Sequence, residues 1–130
     1  MKSKTLGCFA VAIGLLTVSS PIFAHHGTSE YDIKKTITLT GTITAFDWVN
    51  PHCLVHMDVT GDNGEVRHWT LEMSPTYSMS RRGWAKDTLK LGDQVSAETH
   101  PARNGAPIGI SAARGFMLNF AVNGKEIRPR

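Results

Sequence analysis

The chain contains six histidines, and all of them follow residue 24. His25 and His26 stand where an exported chain is expected to begin, so after cleavage His25 would carry a free α-amino group beside its imidazole. An amine and an imidazole on one residue can chelate a single metal. Nitrogen ligands of this kind suit Cu(II), and bind Ni(II) and Zn(II) less selectively. The amine titrates near neutrality and can release its proton to a metal. His52 follows Asn50-Pro51, at the start of a strand and beside a tight turn, so its backbone is fixed at an expected barrel mouth. His25, His26 and His52 are therefore the candidate metal ligands, with Cu(II) as the expected cofactor. His100-Pro101 is expected on the same rim. The plainer alternative is a solvated doublet at a chain start, with no ligand.

A second group lies on an expected hairpin. Along a strand, His52, Leu54, His56 and Asp58 face one way, and Cys53, Val55, Met57 and Val59 face the other. Across the turn, Trp69, Leu71 and Met73 oppose His68, Thr70 and Glu72. Burying the apolar faces together requires Met57 near Trp69 and Val55 near Leu71. His52, His56, His68 and Glu72 then share the other face. His52 and His56 lie roughly 13 Å apart along a straight strand, too far to share a metal. His56 and His68 are diagonal neighbours and close enough to do so, although polar residues on a solvated sheet face read the same way.

No enzyme signature accompanies these histidines. There is no Gly-rich phosphate loop, nucleophile elbow, CxxC or HExxH, so the expectation is a protein that is not an enzyme. Arg81-Arg82 reads as a solvated pair. Trp69 alternates with core residues and is expected in the core, while Trp48, beside Asn50-Pro51-His52, is expected to face a site.

Residues 1–24 read as a signal peptide. Lys2 and Lys4 form a positive start, Leu6 to Val18 is apolar, and Ile22-Phe23-Ala24 supplies a small residue for the cut. The apolar run is shorter than the roughly 20 residues that cross a bilayer. The expected location is periplasmic or secreted. The net charge of +3 falls to +1 once Lys2 and Lys4 leave, because all 11 acidic residues remain. That balance is expected to exclude nucleic acid and anionic membranes as partners, leaving a metal ion or a small molecule. Cys8 also leaves, so Cys53 has no partner for an internal disulfide and reads as buried filler.

Holding the candidate ligands requires a small β domain. Residues 25–36 read as an extended arm, and 37–130 as the domain itself. Ile37, Leu39, Gly41, Ile43 and Ala45 alternate with Thr38, Thr40, Thr42 and Thr44, a period-two strand in which Gly41 suggests a bend or bulge. Strands are expected at His52 to Thr60 and Glu65 to Met73, joined by the turn Gly61-Asp62-Asn63-Gly64. Ser74-Pro75 reads as a cap opening a short helix that ends near Gly83. A fourth strand follows at Gln94 to His100, and a fifth within Ile108 to Phe120. Asn123-Gly124 marks a last turn. Three strands, a helix and two strands is the element order of the OB-fold. The expected fold is therefore all-β with one short helix, a small five-stranded OB-like antiparallel barrel. A small β-sandwich is the rival.

The chain resembles a family of small exported proteins of Gram-negative bacteria, catalogued as a domain of unknown function. The resemblance rests on His25-His26-Gly27 with Tyr31-Asp32, Leu39-Thr40-Gly41-Thr42-Ile43, Trp48-Val49-Asn50-Pro51-His52, Trp69-Thr70-Leu71-Glu72, Arg81-Arg82-Gly83, Leu89-Lys90-Leu91-Gly92-Asp93 and Val122-Asn123-Gly124-Lys125. It implies an exported location and no particular activity. The chain is also similar, at one feature, to copper proteins that use a first-residue histidine as a bidentate ligand. Two readings follow: a periplasmic copper-binding protein using the N-terminal histidines and His52, or a metal-free module binding a small molecule, an oligosaccharide or a partner protein. A copper-dependent redox enzyme is a third class. Intact-mass measurement of the exported protein is expected to show a chain beginning at His25; a retained Met1 or another first residue would remove the amine ligand.

Overall fold

Alternation sets the strands. In β1 (Ile37–Asp47), Leu39 and Ile43 turn inward, and Thr38 and Thr40 stay exposed. β2 (Leu54–Thr60) and β3 (Val66–Glu72) form the expected hairpin, with Val55 opposite Leu71 and Met57 opposite Trp69. All four of these side chains are buried. The computed structural model describes residues 27–113 and 116–127. The expected signal peptide, His25 and His26 lie outside the described residues.

The barrel closes through β1. Its first half pairs with β4 (Gln94–Pro101), from Ile37 opposite Thr99 to Thr42 opposite Gln94. Its second half pairs with β2, from Thr42 opposite Asp58 to Asp47 opposite Leu54, with a register shift between Ile43 and Ala45. Gly41 sits beside the change of partner. A Cβ there would lie 2.2 Å from the Asp58 carbonyl oxygen, so only glycine lets the backbones approach this closely.

β5 (Ile108–Ile110) completes the ring between β3 and β4. It runs antiparallel to β4 and parallel to β3, with Thr70 opposite Ile108. The OB-like barrel is thus present, but its sheet is mixed rather than purely antiparallel. The parallel pair arises because the chain reaches β5 by a loop from β4 and enters beside β3 in the same direction. β6 (Ala112–Ala113) and β7 (Phe116–Met117) form a separate small ribbon. β8 (Phe120–Val122) adds to β4, and β9 (Lys125–Glu126) adds to β8 across the expected turn at Asn123-Gly124, where both residues have positive φ.

One helix, α1 (Thr76–Arg81), lies between β3 and β4. It begins one residue later than the Ser74-Pro75 pattern suggests. Pro75 is the cap and makes no side-chain cap bond. Asn50 caps it from outside instead: its Oδ1 accepts from the Thr76 amide at 3.2 Å and the Thr76 hydroxyl at 2.9 Å. Met79, Trp84 and Leu89 then pack into the core with Phe120. Trp84 meets Phe120 edge-on at 5.3 Å, and Trp48 meets Phe46 edge-on at 5.8 Å. Trp48 is therefore partly buried against the core rather than presented to a site. Among the described residues, no helix is long and apolar enough to cross a membrane.

Gly41→Ala is expected to destabilise the barrel by about 1–3 kcal/mol, the cost of an overpacked backbone contact. Urea unfolding of the purified domain measures it; an unchanged midpoint would mean that β1 closes the ring without this approach.

Candidate functional site

His52 is the candidate ligand that lies among the described residues, and its position follows from the hairpin. The β2–β3 ladder runs past the strand ends: the Cys53 amide donates to the Ser74 carbonyl at 3.3 Å, and the Met73 amide to the Cys53 carbonyl at 2.8 Å. Asn50, tied to α1, holds the preceding turn. His52 is thereby fixed beside the end of β3. Its Nδ1 lies 3.2 Å from the Met73 carbonyl oxygen and 3.2 Å from Glu72 Oε1. Both partners can only accept a hydrogen bond, so Nδ1 carries the proton. In the neutral ring the lone pair is then on Nε2. The side chain is 42% exposed, and no partner for Nε2 is found among the described residues.

Glu72 is the hub. One oxygen receives His52, and the other accepts the Tyr31 phenol at 3.1 Å. Tyr31 is 6% exposed. Its phenol pKa is pushed up to about 12, first by burial and then by the Glu72 charge and hydrogen bond, with Glu30 adding to it. The phenol therefore remains a donor at any physiological pH.

Tyr31 belongs to the segment before β1, and that segment is stitched to the barrel. After a 3-10 turn at Thr28–Glu30, Tyr31 forms a β-bridge with Ala102. The Asp32 amide donates to the Pro101 carbonyl at 2.9 Å, and the Arg103 amide to the Glu30 carbonyl at 2.9 Å. Neither Tyr31 nor Glu72 was among the residues expected to form the site. Glu72 does share a strand face with His52, which the hairpin register makes visible. The Tyr31 contact spans 41 positions and leaves no periodic trace.

The other histidines go elsewhere. His56 Nε2 donates to Asp47 Oδ2 at 2.9 Å, and its Nδ1 is hydrogen-bonded with the Thr70 hydroxyl at 3.1 Å. Both nitrogens are engaged, so His56 and His68 do not offer a shared pair. His68 Nδ1 pairs with Asp58 across the ladder. His100 Nδ1 donates to the Lys35 carbonyl at 2.8 Å. Among the described residues, no group of three or more His, Cys, Asp or Glu could hold a metal ion. Cys53 is fully buried with its thiol toward the Val49 carbonyl, and burial pushes its pKa up. It is a packed thiol and not a ready thiolate ligand.

The model of DUF6152, a family of unknown function, matches residues 12–112, a span that includes His25, His26 and His52. The comparison with curated proteins finds no match. Among solved structures, the fold is similar to that of a mitochondrial single-stranded DNA binding protein from S. cerevisiae, with 9% identity, a TM-score of 0.49, and coverage of 70% of this chain and 95% of that chain. The exclusion of nucleic acid drawn from net charge is withdrawn on physical grounds. A net charge averages over all faces, whereas single-strand binding depends on local grooves and on stacking. The likeness is one of fold.

The Tyr31–Glu72 bond is testable by titration. A folded-state pKa of about 12, against an ordinary 10.0, means that this stabilisation is complete below about pH 10 and is lost as pH rises through about 12. Ultraviolet titration is expected to show a phenol ionising near pH 12 that disappears in Tyr31→Phe. The variant is also expected to lose about 1.5–3 kcal/mol at neutral pH, the worth of a hydrogen bond to a charged group.

Proposed function

The chain belongs to DUF6152, a family of unknown function, and on that premise we propose that it is an exported, non-enzymatic protein that binds Cu(II) in the periplasm. The site would consist of the His25 amine and imidazole, His52 Nε2, and His26. The observation that carries this reading is the Tyr31–Glu72–His52 network. A carboxylate on the far nitrogen of a metal-ligating histidine fixes its tautomer, sets its ring orientation and raises its basicity. Glu72 stands in that relation to His52. A half-exposed histidine with Nε2 open and Nδ1 doubly anchored is prepared for a ligand outside the barrel.

The same network bears on the N-terminal histidines. Tyr31 ties the segment that follows them to the residue that orients His52. Sequence separation alone tethers His25 and His26 within roughly 22 Å of Tyr31, at about 3.6 Å per residue. An amine, two or three imidazoles and a tetragonal preference are a consistent set for Cu(II). The reading requires export, since only cleavage after Ala24 places a free α-amino group on His25.

The test is a Cu(II) titration of the chain beginning at His25 and of the same chain with one added N-terminal residue, each followed by electron paramagnetic resonance. The first form is expected to bind at least about tenfold more tightly, with a nitrogen-rich tetragonal spectrum. Glu72→Ala is expected to weaken binding about 10–100-fold while leaving the barrel folded. Binding should also fall with pH through the range where imidazole and α-amino groups take up protons. Equal affinity in the two forms would overturn the copper reading and leave a metal-free binding module as the account.

A further inference from the structure

The row of core-facing residues on β3 contains one break. Leu71 and Trp69 point into the barrel, and the next residue on that face is Arg67, which is exposed. A cation stands where the alternation calls for an apolar side chain, at the point where the row leaves the barrel. Its guanidinium lies over the Trp69 ring, 5.6 Å from the centroid, and donates to the Gly105 carbonyl at 3.1 Å. These two contacts hold it in one place while using few of its five N–H donors.

Arg67 lines a cleft of about 350 Å³ together with Asp32, Lys35, Trp69, Arg103 and Gly105. Three of these side chains are cationic and one is anionic. Asp32 is already shared with Arg103 at 3.9 Å, and Lys35 has no ion-pair partner among the described residues. The cleft therefore carries a surplus of two positive charges. Its volume is near the lower end for small-molecule sites. None of its lining residues belongs to the Tyr31–Glu72–His52 network, so it stands independently of the copper reading.

We propose that this cleft is an anion site that takes a phosphate-bearing ligand, with Arg67 as the pre-organised fork and the exposed Lys35 as the second cation. A guanidinium fixed by stacking and by a backbone carbonyl presents parallel N–H groups that match phosphate oxygens. A surplus of two charges favours a multiply charged anion over a single carboxylate. The ligand displaces water from Arg67 without needing to order it first, which lowers the entropic cost of binding.

Inorganic pyrophosphate is the probe, titrated into the folded protein at low ionic strength and followed by calorimetry and tryptophan emission. The expected result is binding tighter than about 1 mM that weakens as salt rises, with a change in emission from Trp69. Arg67→Gln and Lys35→Gln are each expected to weaken it about tenfold or more, and Asp32→Asn to tighten it. Because Arg67 also covers Trp69, the exposed Lys35→Gln variant keeps the test valid if Arg67→Gln unfolds. A single-stranded oligothymidylate forms a second arm: displacement of pyrophosphate by it assigns the phosphate to a nucleic-acid backbone, and no displacement assigns it to a free anion. Absence of pyrophosphate binding at about 1 mM, or affinity unchanged by Arg67→Gln and Lys35→Gln, overturns the proposal.

Discussion

A strand of 11 residues that must pair with one neighbour along its first half and another along its second has to bend where the partners change. At Gly41 the main chain of β1 comes so near the carbonyl of Asp58 that a single added carbon would collide with it. The register shift that follows completes the turn of the strand. Everything else rests on that bend. It lets β1 close onto β4, places β2 and β3 across from the closing seam, and leaves β5 a gap of three residues to fill. A flatter β1 would give an open sheet with two long edges and no interior for Met57, Leu71 and Phe120.

The closed ring then gives the loops fixed anchor points. Asn50 joins the β1–β2 connection to the start of α1, and His52 inherits its position from that joint and from the ladder beside it. Residues 29–32 add a further layer by hydrogen-bonding along Pro101 to Arg103. Glu72 lies where these parts meet and divides its two oxygens between them. A shorter acid could not reach both partners with the same backbone, and an amide would meet one of the two donors with an N–H group. The preference for glutamate follows from there being two donors on opposite sides.

Much of the architecture was legible in the sequence because it is local or periodic. The pairing of Met57 with Trp69 and of Val55 with Leu71 follows from hiding two apolar faces against one another, and Asn123-Gly124 announces its own turn. The glycine in β1 signalled a distortion, although the register shift itself falls two or three residues later. What could not be read depends on contacts between distant segments. Ile108-Gly109-Ile110 is too short to show a period, so its parallel pairing with β3 left no sign. The capping of α1 by Asn50 crosses 26 positions, and the Tyr31–Glu72 bond crosses more. The histidines were visible as a set, but their separate carboxylate partners, Asp47 for His56 and Asp58 for His68, divide that set into isolated pairs. Arg67 is readable in principle as a charge in an apolar row, but a single arginine near a strand end carries little signal, because exposed arginines are common.

Closing a sheet into a ring removes its edges, yet the β8–β9 hairpin laid along β4 creates a new one. Among the described residues that outer border is β9, only two residues long, Lys125 and Glu126, both exposed. It offers too few main-chain groups to seed a growing stack of strands, and neighbouring opposite charges resist the flat, apolar contact that such stacking needs. Among the described residues the sheet therefore ends in a border that discourages edge-to-edge pairing.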